Sequence, residues 1–364
     1  MITPISNHGF LSRLSYHHSC YVAVVTVALF FSGCSTPPKQ GTYSSETRAP
    51  IATSEIVSRH SPLVGHLEVH VIDVGQGDAI WIRCPDGKHQ LLIDTGDTRY
   101  PGSQKKFKSF MMAHQAKDDP IEAMVASHPH ADHIGSMSWV LDQYQVKRFI
   151  DDGVTIPPND QTVTYSKLYS SLHAKQVPSL SALTQGKTFF FDFCPLCKAR
   201  VIVPKHFAEL GAKDPNNASV IVRIDYGADS FLFTGDAESE EEALLVADPA
   251  TKADLACDFL KVGHHGSDTS STPAFLSAVR PKIAAISCGA KGVSTNAGYK
   301  HPRLTTLDAL LTFVGKREGA PMEVYAYQKS VEAWKLAPLT GAVYVTTAQG
   351  DLLFESDGNG IHKK

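Results

Sequence analysis

The chain is 364 residues long, with hydrophobic residues at 43% and charged residues at 20%, globular proportions that exclude a disordered or fibrous protein. Its 34 lysines and arginines against 37 aspartates and glutamates give a formal charge of -3. That excludes bulk positive charge as the means of holding nucleic acid and leaves only a local basic groove open. Seven cysteines in this length exclude a disulfide-stapled miniprotein, and the unusual count is the 17 histidines.

Residues 1–19 are polar, and Cys20 to Phe31 form an apolar run of h-region length, short of a membrane-spanning helix. Phe31-Ser-Gly-Cys34 follows and resembles the lipobox of a bacterial lipoprotein signal, although Phe31 replaces the usual leucine. On that reading residues 1–33 are removed and Cys34 carries lipid. An ordinary cleaved signal or a short uncleaved anchor are the alternatives. Ser35 is not the aspartate that retains such proteins at an inner membrane. The expected location is therefore the cell envelope, periplasmic or surface-facing. Residues 34–62, rich in Ser, Thr and Pro without periodicity, read as a flexible tether.

From His66 the pattern predicts an antiparallel meander of three strands, His66–Val74, Ala79–Arg83 and Gln90–Asp94, with glycine turns between them. A helix over 103–116, a short buried strand at Ala123–Ser127 and a helix over 137–144 come next. Strands are expected at 189–193, 199–203, 219–225 and 230–234, a helix at 239–246, and strands at 259–262 and 283–287. A helix opening at His301-Pro-Arg-Leu and strands at 324–327, 343–346 and 351–355 complete an α/β layered domain over 63–360.

The strand at 123–127 delivers Ser-His128-Pro-His130-Ala-Asp132-His133-Ile-Gly135, an H-x-H-x-D-H pattern. Three imidazoles and a carboxylate within six residues would be costly to bury without partners. They suit two adjacent cations, His128 and His130 facing one, Asp132 and His133 the other. Leu92-Ile-Asp94-Thr-Gly precedes this motif, and Phe231-Leu-Phe-Thr-Gly-Asp236 and Lys261-Val-Gly-His264-His265-Gly-Ser267 follow it.

This ordered set resembles the metallo-β-lactamase superfamily, which implies a single αββα sandwich. Asp94 would then orient a ligand histidine, Asp236 would bridge two metals, and the last motif would supply one further ligand. His264 is the favoured ligand there, with His265 near the substrate or leaving group. Val71-Ile-Asp73-Val-Gly-Gln-Gly-Asp78, Asn216-Asn217-Ala-Ser219, Gly263 to Ser270, Ile286-Ser-Cys-Gly289 and Asn296 to Pro302 narrow the match to the ComEC-like group of competence-protein hydrolase domains, over about residues 66–358. Two departures stand out. The group's membrane channel and oligonucleotide-binding module have no counterpart here, and the Asn216–Ser219 segment replaces a metal-binding histidine of other members. Asn217 or water would hold the cation of His128 and His130 instead.

The resemblance implies a hydroxide activated by two divalent ions, Zn²⁺ or Mn²⁺, that attacks a phosphodiester in line. Asp132, His265 and His301 are the catalytic candidates, with Asp73, Asp78, Asn217, Ser219 and Ser267 in support. DNA, extracellular or incoming, is the leading substrate, and a DNA-uptake machinery is a possible partner. The alternatives are a small-ester hydrolase acting on phosphorylcholine esters, lactones or β-lactams, and a non-catalytic metal- or DNA-binding lipoprotein. Cys194-Pro-Leu-Cys197 reads as a local disulfide, half a zinc site or two thiols, and Cys84, Cys257 and Cys288 as core residues.

Overall fold

The computed structural model describes residues 65–99 and 101–364; the signal, Cys34 and the tether lie outside them. Among the described residues seventeen strands make two large sheets and a hairpin. Sheet 1 contains β1 (Leu67–Val71), β2 (Ala79–Arg83), β3 (Gln90–Thr95), β4 (Ile121–Val125), β5 (Phe149–Asp151), β6 (Ser179–Ser181), β16 (Leu352–Ser356) and β17 (Ile361–Lys363). Its order is β17-β16-β1-β2-β3-β4-β5-β6, antiparallel as far as β3 and parallel beyond. Sheet 2 contains β7 (Phe189–Phe191), β8 (Lys198–Ile202), β9 (Ile221–Tyr226), β10 (Asp229–Phe233), β11 (Phe259–Lys261), β12 (Ile283–Ile286) and β15 (Val343–Val345). Its order is β15-β12-β11-β10-β9-β8-β7, parallel on the β15 side of β10 and antiparallel on the other. The strands β13 (Met322–Gln328) and β14 (Ala333–Leu339) form a separate antiparallel hairpin.

Strand alternation divides the apolar residues among three layers. Val69, Ile80, Ile82, Leu91 and Ile93 of sheet 1 meet Val201, Val222, Ile224, Phe231 and Phe233 of sheet 2 in the central core. Phe259 of β11 packs against Phe354 of β16 with ring centroids 4.8 Å apart, joining the two sheets. The outer face of sheet 1 buries Trp81, Leu92 and Met124 under α1 (Pro101–His114), α2 (Met137–Gln143) and α3 (Val163–Ala174). The outer face of sheet 2 buries Leu232, Leu260 and Ile286 under α4 (Ser239–Ala247), α5 (Pro273–Val279) and α6 (Leu304–Leu311). The result is the four-layer αββα sandwich. No helix among the described residues is long and apolar enough to cross a membrane.

Three expectations need correction. Helix α3 and strands β5, β6, β14 and β17 were not anticipated. In α3 the sequence Val-Thr-Tyr-Ser-Lys-Leu-Tyr-Ser-Ser-Leu is poor in strong helix formers. Packing of Tyr165, Leu168 and Leu172, with Thr162 capping the Tyr165 N–H, overrides that propensity. The fold also does not stop at Gly360, because β17 pairs with β16.

The cysteine pairing differs as well. Cys84 bonds to Cys194 across 110 residues of sequence, and Cys197 is a free thiol whose Sγ lies 3.2 Å from that of Cys194. The two sheets bring Cys84, at the end of β2, beside the loop before β8, a proximity invisible in a linear C-x-x-C reading. Cys257 and Cys288 are buried thiols. Cys84→Ser is expected to lower stability by about 2–4 kcal/mol, because the long loop it closes is freed in the unfolded chain. Denaturant melts beside Cys197→Ser, expected to stay near the parent, check this.

Candidate metal centre

The centre forms where the carboxyl ends of β3 and β4 in sheet 1 meet those of β10 and β11 in sheet 2. Asp94, the penultimate residue of β3, lies in the left-handed region at φ 57°, a conformation held by its contacts. Its Oδ1 accepts the Ser127 N–H at 2.8 Å, and its Oδ2 accepts the Ser127 hydroxyl at 2.7 Å and His133 Nδ1 at 2.8 Å. With Nδ1 donating, His133 presents Nε2 as a lone-pair donor. The turn after the motif is tight: a Cβ at Gly135 would lie 2.2 Å from the Gly96 carbonyl oxygen. Ser127 was missed in the sequence, yet its carbonyl also accepts the N–H of Val220, just before β9, at 2.7 Å.

From sheet 2, Asp236 follows β10, its N–H donating to Ser219 Oγ at 3.0 Å. Its Oδ2 lies 3.3 Å from Nε2 of both His133 and His265, and 3.9 Å from Nε2 of both His128 and His264. Asp236 is therefore the hub. His264 and His265 are both left-handed, at φ 45° and 53°, a strained pair that turns the two rings in different directions. His265 is buried, donates Nδ1 to the Ser287 carbonyl at 2.9 Å, and places Nε2 3.7 Å from Asp132 Oδ2. His264 instead engages Glu238 at 2.7 Å and Thr269 at 3.0 Å through Nδ1. The geometry thus groups His265, rather than the expected His264, with the other donor atoms.

The donor atoms fall into overlapping trios, each within 4.8 Å: His128, His133 and Asp236, and Asp132, His133 and His265. This differs from the expected split into His128 with His130 and Asp132 with His133, because His133 faces Asp236 in the middle. His130 Nδ1 lies 3.0 Å from His128 Nε2, on the cleft side. His133 Nε2, His265 Nε2 and Asp236 Oδ1 are buried with no hydrogen-bond partner among the described residues. Such orphaned atoms each cost about 1–3 kcal/mol, and here they converge on one place. Imidazole nitrogens with carboxylate oxygens are the donor set of Zn²⁺ or Mn²⁺, so these residues fit a divalent cation. Burial works against charge on Asp236, but His265 and His133 outweigh it and hold its carboxyl well below the usual carboxylate range.

The remaining candidates divide. Asp78 is fully buried behind His265, with Oδ1 3.3 Å from His265 Nδ1 and Oδ2 2.6 Å from the Nζ of Lys261, itself fully buried. Lys261 was missed; a lone lysine inside Phe259-Leu-Lys-Val was its signal. Asp73 lies away from the centre, pairing with Lys106, and its N–H donates to Asp351. The tight turn itself places it there, with Gly75 at φ 76° and Gly77 at φ 133°, where a Cβ on Gly77 would lie 2.4 Å from the Asp132 carbonyl oxygen. Asn217 is engaged away from the donor cluster: its Oδ1 accepts the Glu241 N–H at 3.2 Å. Asn216 lines the cleft in its stead, its Oδ1 buried and unpartnered. Ser219 and Ser267 hold backbone, Ser219 at Asp236 and Ser267 at Thr269. His301 faces the cleft near Gln76, at 3.4 Å, and burial, then His265 and His264, push its pKa down to about 2.

The centre opens into a cleft of about 970 Å³ whose wall includes Arg99, Ile156, Lys213, Tyr299, His301 and Arg303. Arg99 is held by the buried carboxylate of Asp97 at 2.7 Å.

Beside this wall Asp152 is buried with Oδ2 unpartnered. Burial, then the Asp151 carboxylate, push Asp152 up to about 8 from an ordinary 3.8. Across that window the native chain keeps a proton that the unfolded chain has released, so this stabilising contribution is lost as pH rises through it. Asp152→Asn is expected to raise the melting temperature by roughly 4 °C at about pH 9 and hardly at about pH 5. Thermal melts at the two pH values test it.

The metallo-beta-lactamase superfamily model matches residues 72–290. The chain belongs to that superfamily. It is 32% identical over 261 residues to ComE operon protein 3 of Bacillus subtilis, which is 67% of this chain and 30% of that protein. It is 30% identical over 222 residues to Recombination protein 2 of Haemophilus influenzae, covering 61% and 24%. It is 40% identical over 89 residues to Competence protein ComA of Neisseria gonorrhoeae, covering 24% and 12%. The chain thus spans less than a third of the length of these curated relatives, and the ComEC-like resemblance holds. As a superfamily member it has a metal-dependent hydrolase fold, with His and Asp clusters suited to metal ions.

Proposed function

We propose that the chain is a phosphodiesterase that cleaves DNA with two divalent cations at the Asp236 centre. One observation carries the reading: the ligand cluster forms the floor of an open cleft whose wall bears Arg99, Lys213 and Arg303. An anionic diester is the substrate such a wall would orient, and the competence-protein relatives support the choice of DNA. Bound divalent ions supply Lewis acidity and a hydroxide at neutral pH. The chain's own part is to position them. Asp94 fixes His133, Asp78 and the Ser287 carbonyl fix His265, and the arginines hold the charge of the diester. His301, neutral in this setting, orients the substrate by hydrogen bonding. The Cys34 lipobox adds to the proposal a lipid anchor at the cell envelope, tested by labelling with a fatty acid that Cys34→Ser should lose.

The test is a nuclease assay with and without added manganese or zinc. Metal-dependent cleavage of single- or double-stranded DNA is the expected result. Intact DNA with turnover of bis-p-nitrophenyl phosphate would move the substrate to small diesters, and selective turnover of a lactone or β-lactam would move it off phosphorus. Bound metal without turnover of any ester would leave a non-catalytic binding protein.

A further inference from the structure

The hairpin β13–β14 stands outside both sheets, and its two faces differ. Val324, Ala326, Ala337 and Leu339 are buried against the outer layer of sheet 2. By strand alternation the opposite face carries Tyr325 and Tyr327 from β13, directly across from Leu336 and Trp334 of β14. Tyr325 is 46% and Leu336 51% exposed. Cations lie over the rings: Lys291 Nζ is 4.2 Å from the Tyr325 centroid, Lys300 Nζ 4.7 Å and Arg303 Cζ 5.2 Å from that of Tyr327. Arg303 is partly balanced by Asp268 at 3.5 Å; Lys300 Nζ donates to the Tyr327 hydroxyl at 3.2 Å, and Lys291 is exposed with its Nζ over the Tyr325 ring.

This face is continuous with the catalytic cleft. The Tyr327 N–H donates to the Pro302 carbonyl at 2.9 Å, and the segment around Pro302 supplies Tyr299, His301 and Arg303 to the cleft wall. Tyr299 is itself 47% exposed. Tyr327 is buried, 6% exposed, beneath Lys300 and Arg303. The accessible rings are therefore Tyr299 at the cleft and Tyr325 on the hairpin, with the cations of Lys300 and Arg303 between them and Lys291 beside Tyr325. The exposed rings of Tyr299 and Tyr325 offer stacking to unpaired bases, and the lysines beside them offer charge to successive phosphates. A small ester has neither groups nor length to use such a row.

We propose that the exposed Tyr325 of the hairpin, with Lys291 and Lys300, forms a track for single-stranded polynucleotide whose adjoining phosphate lies in the cleft. It rests on the phosphodiesterase reading and adds the length and strandedness of the substrate. The test uses the full chain and fluorescence anisotropy with labelled oligothymidylates, a trinucleotide and a twenty-nucleotide strand, so that binding is read apart from turnover. Tyr325→Ala with Lys291→Ala is expected to weaken the long strand about tenfold, the loss of one stacked base. The trinucleotide and the turnover of bis-p-nitrophenyl phosphate stay unchanged. Lys291→Glu, a change at an exposed side chain, should act in the same direction without touching the fold. Undiminished binding of the long strand in both variants overturns the proposal and leaves the face to a protein partner. An equal loss for both lengths also overturns it. A chain that binds the long strand through this face but cleaves nothing would refute the nuclease reading and keep the track.

Discussion

Asp236→Ala is expected to lower metal-dependent hydrolysis by about a thousandfold or more, roughly 4 kcal/mol of transition-state stabilisation. Its Oδ2 is the one carboxylate oxygen within 3.3 Å of both His133 and His265 and within 3.9 Å of His128. Losing it removes a member of the His128, His133 and Asp236 trio and leaves the imidazoles without their shared counter-charge. The backbone N–H still bonds Ser219 Oγ, so the loop has reason to stay in place. Steady-state kinetics with manganese and elemental analysis of the purified variant are the measurements. Activity above a tenth of the parent, with metal retained, would remove Asp236 from the centre of the chemistry.

Lys261→Met should cost about 3–5 kcal/mol of stability, because it strands the Asp78 carboxylate in the core. Lys261 Nζ and Asp78 Oδ2 are 2.6 Å apart, both sides fully buried, with a further bond from Nζ to the Val262 carbonyl at 2.9 Å. Adding Asp78→Leu to Lys261→Met removes the lone charge and should recover most of the lost stability. That double variant also removes the carboxylate behind His265, so its hydrolysis should stay about 10–100-fold low, as for other groups that orient a ligand. Urea unfolding and kinetics on the single and double variants separate the two roles. A single variant within 1 kcal/mol of the parent would show that loss of Lys261 does not strand the Asp78 carboxylate.

The parts of this molecule legible in its sequence are those whose chemistry is local. His128, His130, Asp132 and His133 stand within one turn at the end of one strand, Asp94 sits in the last two residues of another just before Gly96, and Asp236 follows a third after Gly235. Such residues need no knowledge of the rest of the chain. What escaped depends on backbone angles or on distant packing. Choosing between His264 and His265 required two successive left-handed residues. Asn216 rather than Asn217 faces the cleft because a single helical turn at Pro215–Ala218 sets their rotation. The partner of Cys84 is set by the stacking of two sheets, and Lys261 by a carboxylate 183 residues earlier.

The cross-link also bears on how the two halves of the metal centre find each other. Cys84 and Cys194 lie at the end of the sandwich away from the centre, one at the end of β2 and the other before β8. Every peptide bond from Cys84 to Cys194, including those of the H-x-H-x-D-H loop, lies inside the ring that this disulfide closes. A protease that cuts once anywhere in that interval leaves one covalent molecule, with the strands bearing His133 and Asp236 still tied together. Their re-encounter then stays an intramolecular event at high effective concentration. In this respect the centre behaves as though nicked chain were intact chain.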